Sequence, residues 1–305
     1  MNTQSELGDF LRNRRATLQP EEVGLQSHGV RRRVPGLRRE ELALLAGVSV
    51  THYTRLEQGQ STNVSDAVLD AIAIALRLTE DETAHLRDLA RPTRTRRPAP
   101  ARADNAGTTI RQLLAAMPDV PAVVLNRRND VLAWNPLGHA LLAAHLDADS
   151  PDRSARRPNL TRLLFLDEET RRLYPHWDDE ARTALAALRL VAGRYPDDRP
   201  LAELIGQLTM KSAEFTTLWS RHPVRGCVSG TKHLQHPLVG RMELAFETMQ
   251  LAGGNGQRML AYSAEPGTAS EAALRLLASS LGPDQATRTF EDVSSHGSHG
   301  SALDS

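Results

Sequence analysis

RREELALLAGVSVTHYTRLEQG, residues Arg38 to Gly59, is the stretch on which the fold turns. Leu42, Ala46, Val48, Tyr53 and Leu56 are spaced as the apolar faces of two short helices, and Gly47 falls between them, where a turn needs positive φ. Ala43 supplies the small side chain that two crossing helices require. The second helix is marked at both ends, by Ser49 as its N-cap and by Gly59 just past its C-terminus. At roughly 100° per residue, Tyr53 and Leu56 fix its inner face. Thr51, Thr54, Arg55 and Gln58 then point outward, with Val50 at the exposed tip.

Such an outward set suits a DNA major groove. Arginine can donate two hydrogen bonds to guanine, and threonine or valine can meet a thymine methyl, a good bidentate pair discriminating by about 1–3 kcal/mol. Ser49 and the helix N-terminus suit a phosphate. Ser49, Val50, Thr51, Thr54, Arg55 and Arg38 are therefore the candidate DNA contacts. The alternative is a helical hairpin that only packs or binds protein. The segment resembles the XRE family of helix-turn-helix regulators, related to phage repressors, in which LA, AGVS and LEQG hold these positions. It departs from that pattern in one place. An insertion containing Pro20, Gly24, Gly29, Pro35 and Gly36 separates the first helix from Arg38, so its Arg31, Arg32 and Arg33 meet either the DNA backbone or solvent.

Outward from this motif the first hundred residues read as helices. Thr3 and Glu6 have capping-box spacing ahead of Leu7, Phe10 and Leu11, and Thr79 with Glu82 repeats it ahead of Leu86 and Leu89. Ser65 caps a helix carrying Val68, Leu69, Ile72 and Leu76. RPTRTRRPAPARADNAG, Arg91 to Gly107, has no apolar period and reads as an exposed linker. AVVLN and DVLAW, around Val123 and Val131, are β-type runs joined by RRND, after which Asn135 caps a helix that starts at Pro136. A mostly helical stretch runs from Leu160 to His222, followed by four β-type runs around Val228, Leu234, Leu244 and Leu260. In GRMELAFETM, Met242, Leu244 and Phe246 alternate with Glu243 and Glu247, the period of a sheet with one buried face. A last helix covers Glu271 to Leu281, and SSHGSHGSALDS closes a low-complexity end. The expected division is 1–92 helix-turn-helix domain, 93–107 linker, 108–283 second domain and 284–305 disordered tail.

Composition narrows the function. The 305 residues suit two domains, and 40 % hydrophobic with 24 % charged residues is an ordinary globular balance. The formal charge is zero, yet five arginines and no acid occur between Arg31 and Arg39 and again between Arg91 and Arg102. Local potential, not the total, governs attraction to phosphate. Cys227 is the single cysteine, which excludes an intramolecular disulfide or a multi-cysteine zinc site. No leader pattern and no run approaching about 20 apolar residues is present, so a cytoplasmic protein without a membrane partner is expected.

The second domain has no Gly-rich phosphate loop, HExxH or nucleophile elbow, so no cofactor is implied and an enzyme reading has no residues to run it. His233 and His236 are three apart in a strand and face opposite sides. Trp134, Phe165, Trp177, Phe215 and Trp219 form either core or a ligand pocket. With Asn135 at the strand-to-helix junction and Arg225 as a cation for a carboxylate, they make the candidate ligand set, His222 and Lys232 being further cations. LNRRNDVLAWNPLGHALL, RPNLTRLLFLDEETRRLYPHW, EFTTLWSRHPVRG and SGTKHLQHPLVGRMELAFE together resemble the MmyB-like ligand-binding domain that follows an XRE domain in many actinobacterial regulators. That resemblance implies a PAS-like antiparallel sheet flanked by helices and a small amphipathic, fatty-acid-like ligand. The expected fold is thus an all-α, lambda-repressor-like helix-turn-helix domain plus an α+β, PAS-like C-terminal domain. The expected function is a transcriptional regulator that binds double-stranded DNA as a homodimer and senses that ligand; the alternative is a second domain serving only dimerisation or partner recruitment.

Overall fold

The computed structural model describes residues 3–25, 36–60, 64–90, 105–221, 229–252 and 256–281. Arg31, Arg32, Arg33, His222, Arg225, Cys227, most of the linker and the C-terminal tail lie outside them. Contacts gather the chain into two compact units, Met1–Pro98 with Arg182–Gly226, and Ala99–Ala181 with Cys227–Ser305. The expected second domain, 108–283, therefore contributes residues to both.

The first unit opens with five helices, α1 (Thr3–Thr17), α2 (Arg39–Leu45), α3 (Val50–Glu57), α4 (Asp66–Ala75) and α5 (Glu80–Ala90). The starts of α3, α4 and α5 are each specified by a local polar group. Ser49 and Ser65 accept backbone N–H bonds from His52 and Val68, and Thr79 and Glu82 form a reciprocal capping box, as their spacing implied. Leu7, Phe10 and Leu11 of α1, Leu42 and Ala43 of α2, Tyr53 and Leu56 of α3, Leu69 and Ile72 of α4, and Leu86 and Leu89 of α5 share one core. Fully burying a Leu, Ile or Phe stabilises by about 1.5–3 kcal/mol, so this shared core, more than helix propensity, holds the short α2 and α3 in place. Gly47 takes φ +64° in the α2–α3 turn, and Gly59 takes φ +68° after α3. The same unit holds α11 (Arg199–Lys211), α12 (Ala213–Ser220) and the later part of α10 (Trp177–Arg194).

The second unit is built on a five-stranded antiparallel sheet ordered β2-β1-β5-β4-β3, with β1 (Ala122–Leu125), β2 (Val131–Trp134), β3 (Ser229–His236), β4 (Gly240–Gln250) and β5 (Arg258–Ser263). The β1–β2 turn uses Asn129 at φ +70°, a conformation Asn tolerates better than most residues. Helices α6 (Thr108–Ala115), α7 (Pro136–Ala143), α8 (Leu160–Leu166), α9 (Glu168–Leu173) and α13 (Ala269–Ser279) complete it. Met242, Leu244 and Phe246 of β4 face the core with Leu137 and Leu141 of α7 and Leu274 and Leu277 of α13, the alternation read from the sequence. Val124, Leu132 and Met259 cover the other face with Leu114 of α6. The described residues hold three late strands where four β-type runs were expected. The Leu234 run becomes β3, beginning at Ser229, while Val228 lies outside the described residues. Among the described residues no helix is long and apolar enough to cross a membrane.

Candidate functional site

On α3, Tyr53 and Leu56 are buried, while Ser49, Val50, Thr51, Arg55 and Gln58 are exposed and Thr54 is half-buried. Arg38 precedes α2, half-buried, 3.4 Å from Glu40. Arg55 is exposed, and its guanidinium carries five N–H donors. The outward residues thus form one polar, uncharged-to-cationic face.

Sequence reading missed the residue that makes this face possible. Glu57 is the only acid of α3 and it is turned fully inward. Arg15 of α1 forks onto it, Nε donating to Oε2 at 3.1 Å and Nη2 to Oε1 at 3.0 Å, while Arg15 Nη1 donates to the Leu37 carbonyl at 2.6 Å. Arg39 of α2 donates to the same Oε1 from Nε at 3.1 Å and Nη2 at 2.8 Å. Burial by itself raises the Glu57 carboxyl, but the hydrogen bonds and charges of Arg15 and Arg39 outweigh it and hold the group below its usual value. The carboxylate therefore ties α1, α2 and α3 together and leaves no negative charge on the outward face. Burial, and then the Glu57 charge, push the neighbouring Tyr53 phenol well up, so it stays neutral.

Backbone contact sets the same geometry. A Cβ on Gly8 would lie 2.2 Å from the Glu57 carbonyl oxygen, so α1 and the end of α3 approach to a distance only glycine permits. Gly36 stands in the same relation to the end of α1, with a Cβ at 2.4 Å from the Arg15 carbonyl oxygen. The chain re-enters from the insertion at this point and docks directly on α1.

The candidate ligand residues fall into separate groups. In the second unit, Phe165 and Trp177 meet edge to face at 5.5 Å, Arg171 lies 4.0 Å over the Trp177 ring, and the Trp177 indole donates to the Leu164 carbonyl at 2.8 Å. Trp134 packs on His139 at 4.8 Å and donates to the Ala148 carbonyl at 2.8 Å. Phe215 and Trp219 belong to the first unit and stack at 5.5 Å with Arg189 above Trp219. Asn135 is buried, and its amide is fully used within the fold. Its oxygen accepts from Ala122 N at 3.0 Å and Gly138 N at 2.7 Å, and its nitrogen donates to the Met117 and Val120 carbonyls, each at 2.7 Å. Lys232 points to the buried side of the edge strand β3, where Glu180 takes its ammonium and the Phe246 ring lies 4.9 Å away. Among the described residues no three His, Asp or Glu side chains converge as a metal-ligand set.

Two family models match the chain. Residues 6–86 match a helix-turn-helix domain, and residues 106–277 match the MmyB-like transcription regulator ligand binding domain. No curated protein matches the chain.

Proposed function

The chain belongs to the family of MmyB-like transcription regulator ligand binding domains, carried behind a helix-turn-helix domain, and we propose that it is a cytoplasmic, ligand-responsive regulator that reads duplex DNA as a homodimer. The observation that carries the DNA half is α3. Its outward face offers Val50, Thr51, Thr54, Arg55 and Gln58, and its one carboxylate is withdrawn and neutralised. A carboxylate on that face would repel phosphate, whereas Arg55 can pair with a guanine edge. Ser49 and the α3 N-terminus, with Arg38 beside them, hold the backbone in this reading. One such helix reads few base pairs, so two copies are needed, spaced by about one helical turn of DNA, roughly 34–36 Å.

For the sensor half the reading is a small amphipathic, fatty-acid-like ligand in an α+β, PAS-like domain, supported by the antiparallel sheet with helices packed on it. Trp134, and in a separate cluster Phe165 with Trp177, are the aromatic contacts of this reading. Asn135 serves by fixing the β2–α7 corner that carries Trp134. Lys232 is already paired with Glu180, which leaves Arg225 and His222 as the candidate cations for a carboxylate head group. Domain limits of 1–92 and 108–283 are retained for the reading and sensing parts.

The test is to select binding duplexes from a random pool with the full chain and compare Arg55→Ala on the selected site. The variant loses about 1–3 kcal/mol there and its preference at one base position relaxes. An equal loss on random DNA would assign Arg55 to phosphate and remove it from base reading.

A further inference from the structure

Within the second unit, the residues that lead into α10 meet the edge strand β3 through two side chains that sequence reading did not pair. His176 and His233 hold their rings edge to face with centroids 5.7 Å apart, and both side chains are exposed. Each backbone is fixed by its own element. The His176 carbonyl accepts from the N–H groups of Asp179 and Glu180 in the first turn of α10, at 3.1 and 3.2 Å. His233 lies in the β3–β4 ladder directly opposite Glu243. Glu180 takes the Lys232 ammonium, which seats the start of α10 on the same strand. His236, by contrast, is buried with its Nε2 at 3.0 Å from the Ala140 carbonyl, so it is spent within the fold.

Two imidazoles that share a tetrahedral ion, each nitrogen about 2.0–2.1 Å from it, have ring centroids about 5–5.5 Å apart. The observed separation is close to that, so side-chain rotation alone brings the pair to an ion. Glu243 Oε2 stands 3.9 Å from His233 Nδ1, which leaves Nε2 as the ligating nitrogen. A carboxylate behind a ligating histidine fixes its tautomer and raises its basicity. Asp178, Asp179, Glu180 and Glu243 outweigh Lys232 in charge around the pair, so the local potential favours a cation. Imidazole ligands select zinc, copper and nickel over magnesium and calcium. We propose that His176 and His233 form a two-histidine site for a late first-row transition-metal ion, with water completing its shell and Glu243 orienting His233. Such an ion ties the start of α10 to the edge strand.

Equilibrium dialysis of the full chain against Zn2+ tests the site, with His296→Ala and His299→Ala in every protein so that the SSHGSHGS stretch adds no binding of its own. The expected result is one Zn2+ per chain that an excess of Mg2+ does not displace. His176→Ala and His233→Ala should each weaken it about tenfold or more, and Glu243→Gln, which keeps the shape and removes the charge, about tenfold. Hydrogen exchange supplies a second reading. Zn2+ should slow the amides of β3 and of Trp177–Glu180 while leaving those of β1 unchanged, and His176→Ala should abolish that protection. Both side chains are exposed, so alanine removes no core packing; should an alanine variant fail to fold, asparagine at the same position repeats the comparison. No bound Zn2+, or equal affinity in the two histidine variants and the parent, overturns the site. A loss in one variant alone reduces it to a single histidine and overturns the bridge.

Discussion

Replacing Glu57 by glutamine keeps the shape of the side chain and removes the charge that ties α1, α2 and α3 together. The cost follows from which partners are buried. Arg39 and Arg12 have side chains 43 % and 52 % exposed, so their attraction to Glu57 is screened and adds little. Arg15, at 10 %, cannot recover water when its forked partner is lost. Removing one member of a buried, hydrogen-bonded pair costs about 3–5 kcal/mol, and the retained amide oxygen places Glu57→Gln near the lower end. A loss of about 3 kcal/mol is roughly a hundredfold in the opening equilibrium. Native-state hydrogen exchange on the full chain reads this directly. Amides of α1–α3 should exchange about a hundredfold faster in Glu57→Gln, while those of β1, β4 and β5 stay at the wild-type rate. Protection within threefold of wild type, or an equal loss across the sheet, would refute the clamp. The pH dependence has a fixed sign. Because the folded carboxyl lies below its unfolded value of about 4.3, the stabilisation is complete above that pH and disappears as pH falls through the folded value. The gap between wild type and Glu57→Gln therefore closes in acid.

Gly8→Ala drives a methyl into the Glu57 carbonyl, so it should destabilise the first unit by about 1–3 kcal/mol and weaken duplex binding, as read by exchange in α1 and by fluorescence anisotropy; unchanged values would mean α1 and α3 can part freely. Asn135→Ala deprives two backbone N–H groups and two carbonyls of their partners and should cost the second unit about 2–4 kcal/mol, seen as lost protection in β1, β2 and α7. Sedimentation equilibrium should give twice the 33.5 kDa chain mass; a monomer at all concentrations would rule out the paired half-site reading.

The helix-turn-helix was legible because its signals are local. Gly47 and Gly59 with positive φ, and Ser49 and Ser65 as caps, each act within four residues of themselves, and the sequence displays them directly. The Met242, Leu244, Phe246 alternation was legible for the same reason. Glu57 was not, because Arg15 lies 42 positions away and a lone glutamate near a helix end looks solvated until the partners converge. The division of the helical stretch between the two units was hidden likewise. Leu190 and Gly193 follow an ordinary amphipathic period, and only the tertiary structure shows that their surroundings are α1 and α5. Among the aromatics, composition could not separate Phe215 and Trp219 in the first unit from Trp134, Phe165 and Trp177 in the second, since the pairing of rings is set by the fold.

The most direct test of a regulator that answers to a small amphipathic molecule is the affinity of the full chain for its selected duplex, titrated with medium- and long-chain fatty acids. Coupling of about 1–3 kcal/mol between the two sites predicts a saturable change of roughly 5- to 150-fold in duplex affinity. An affinity that stays constant across the whole titration, with the protein folded and duplex binding intact, would contradict the proposed ligand class and leave the second domain a dimerisation or recruitment module.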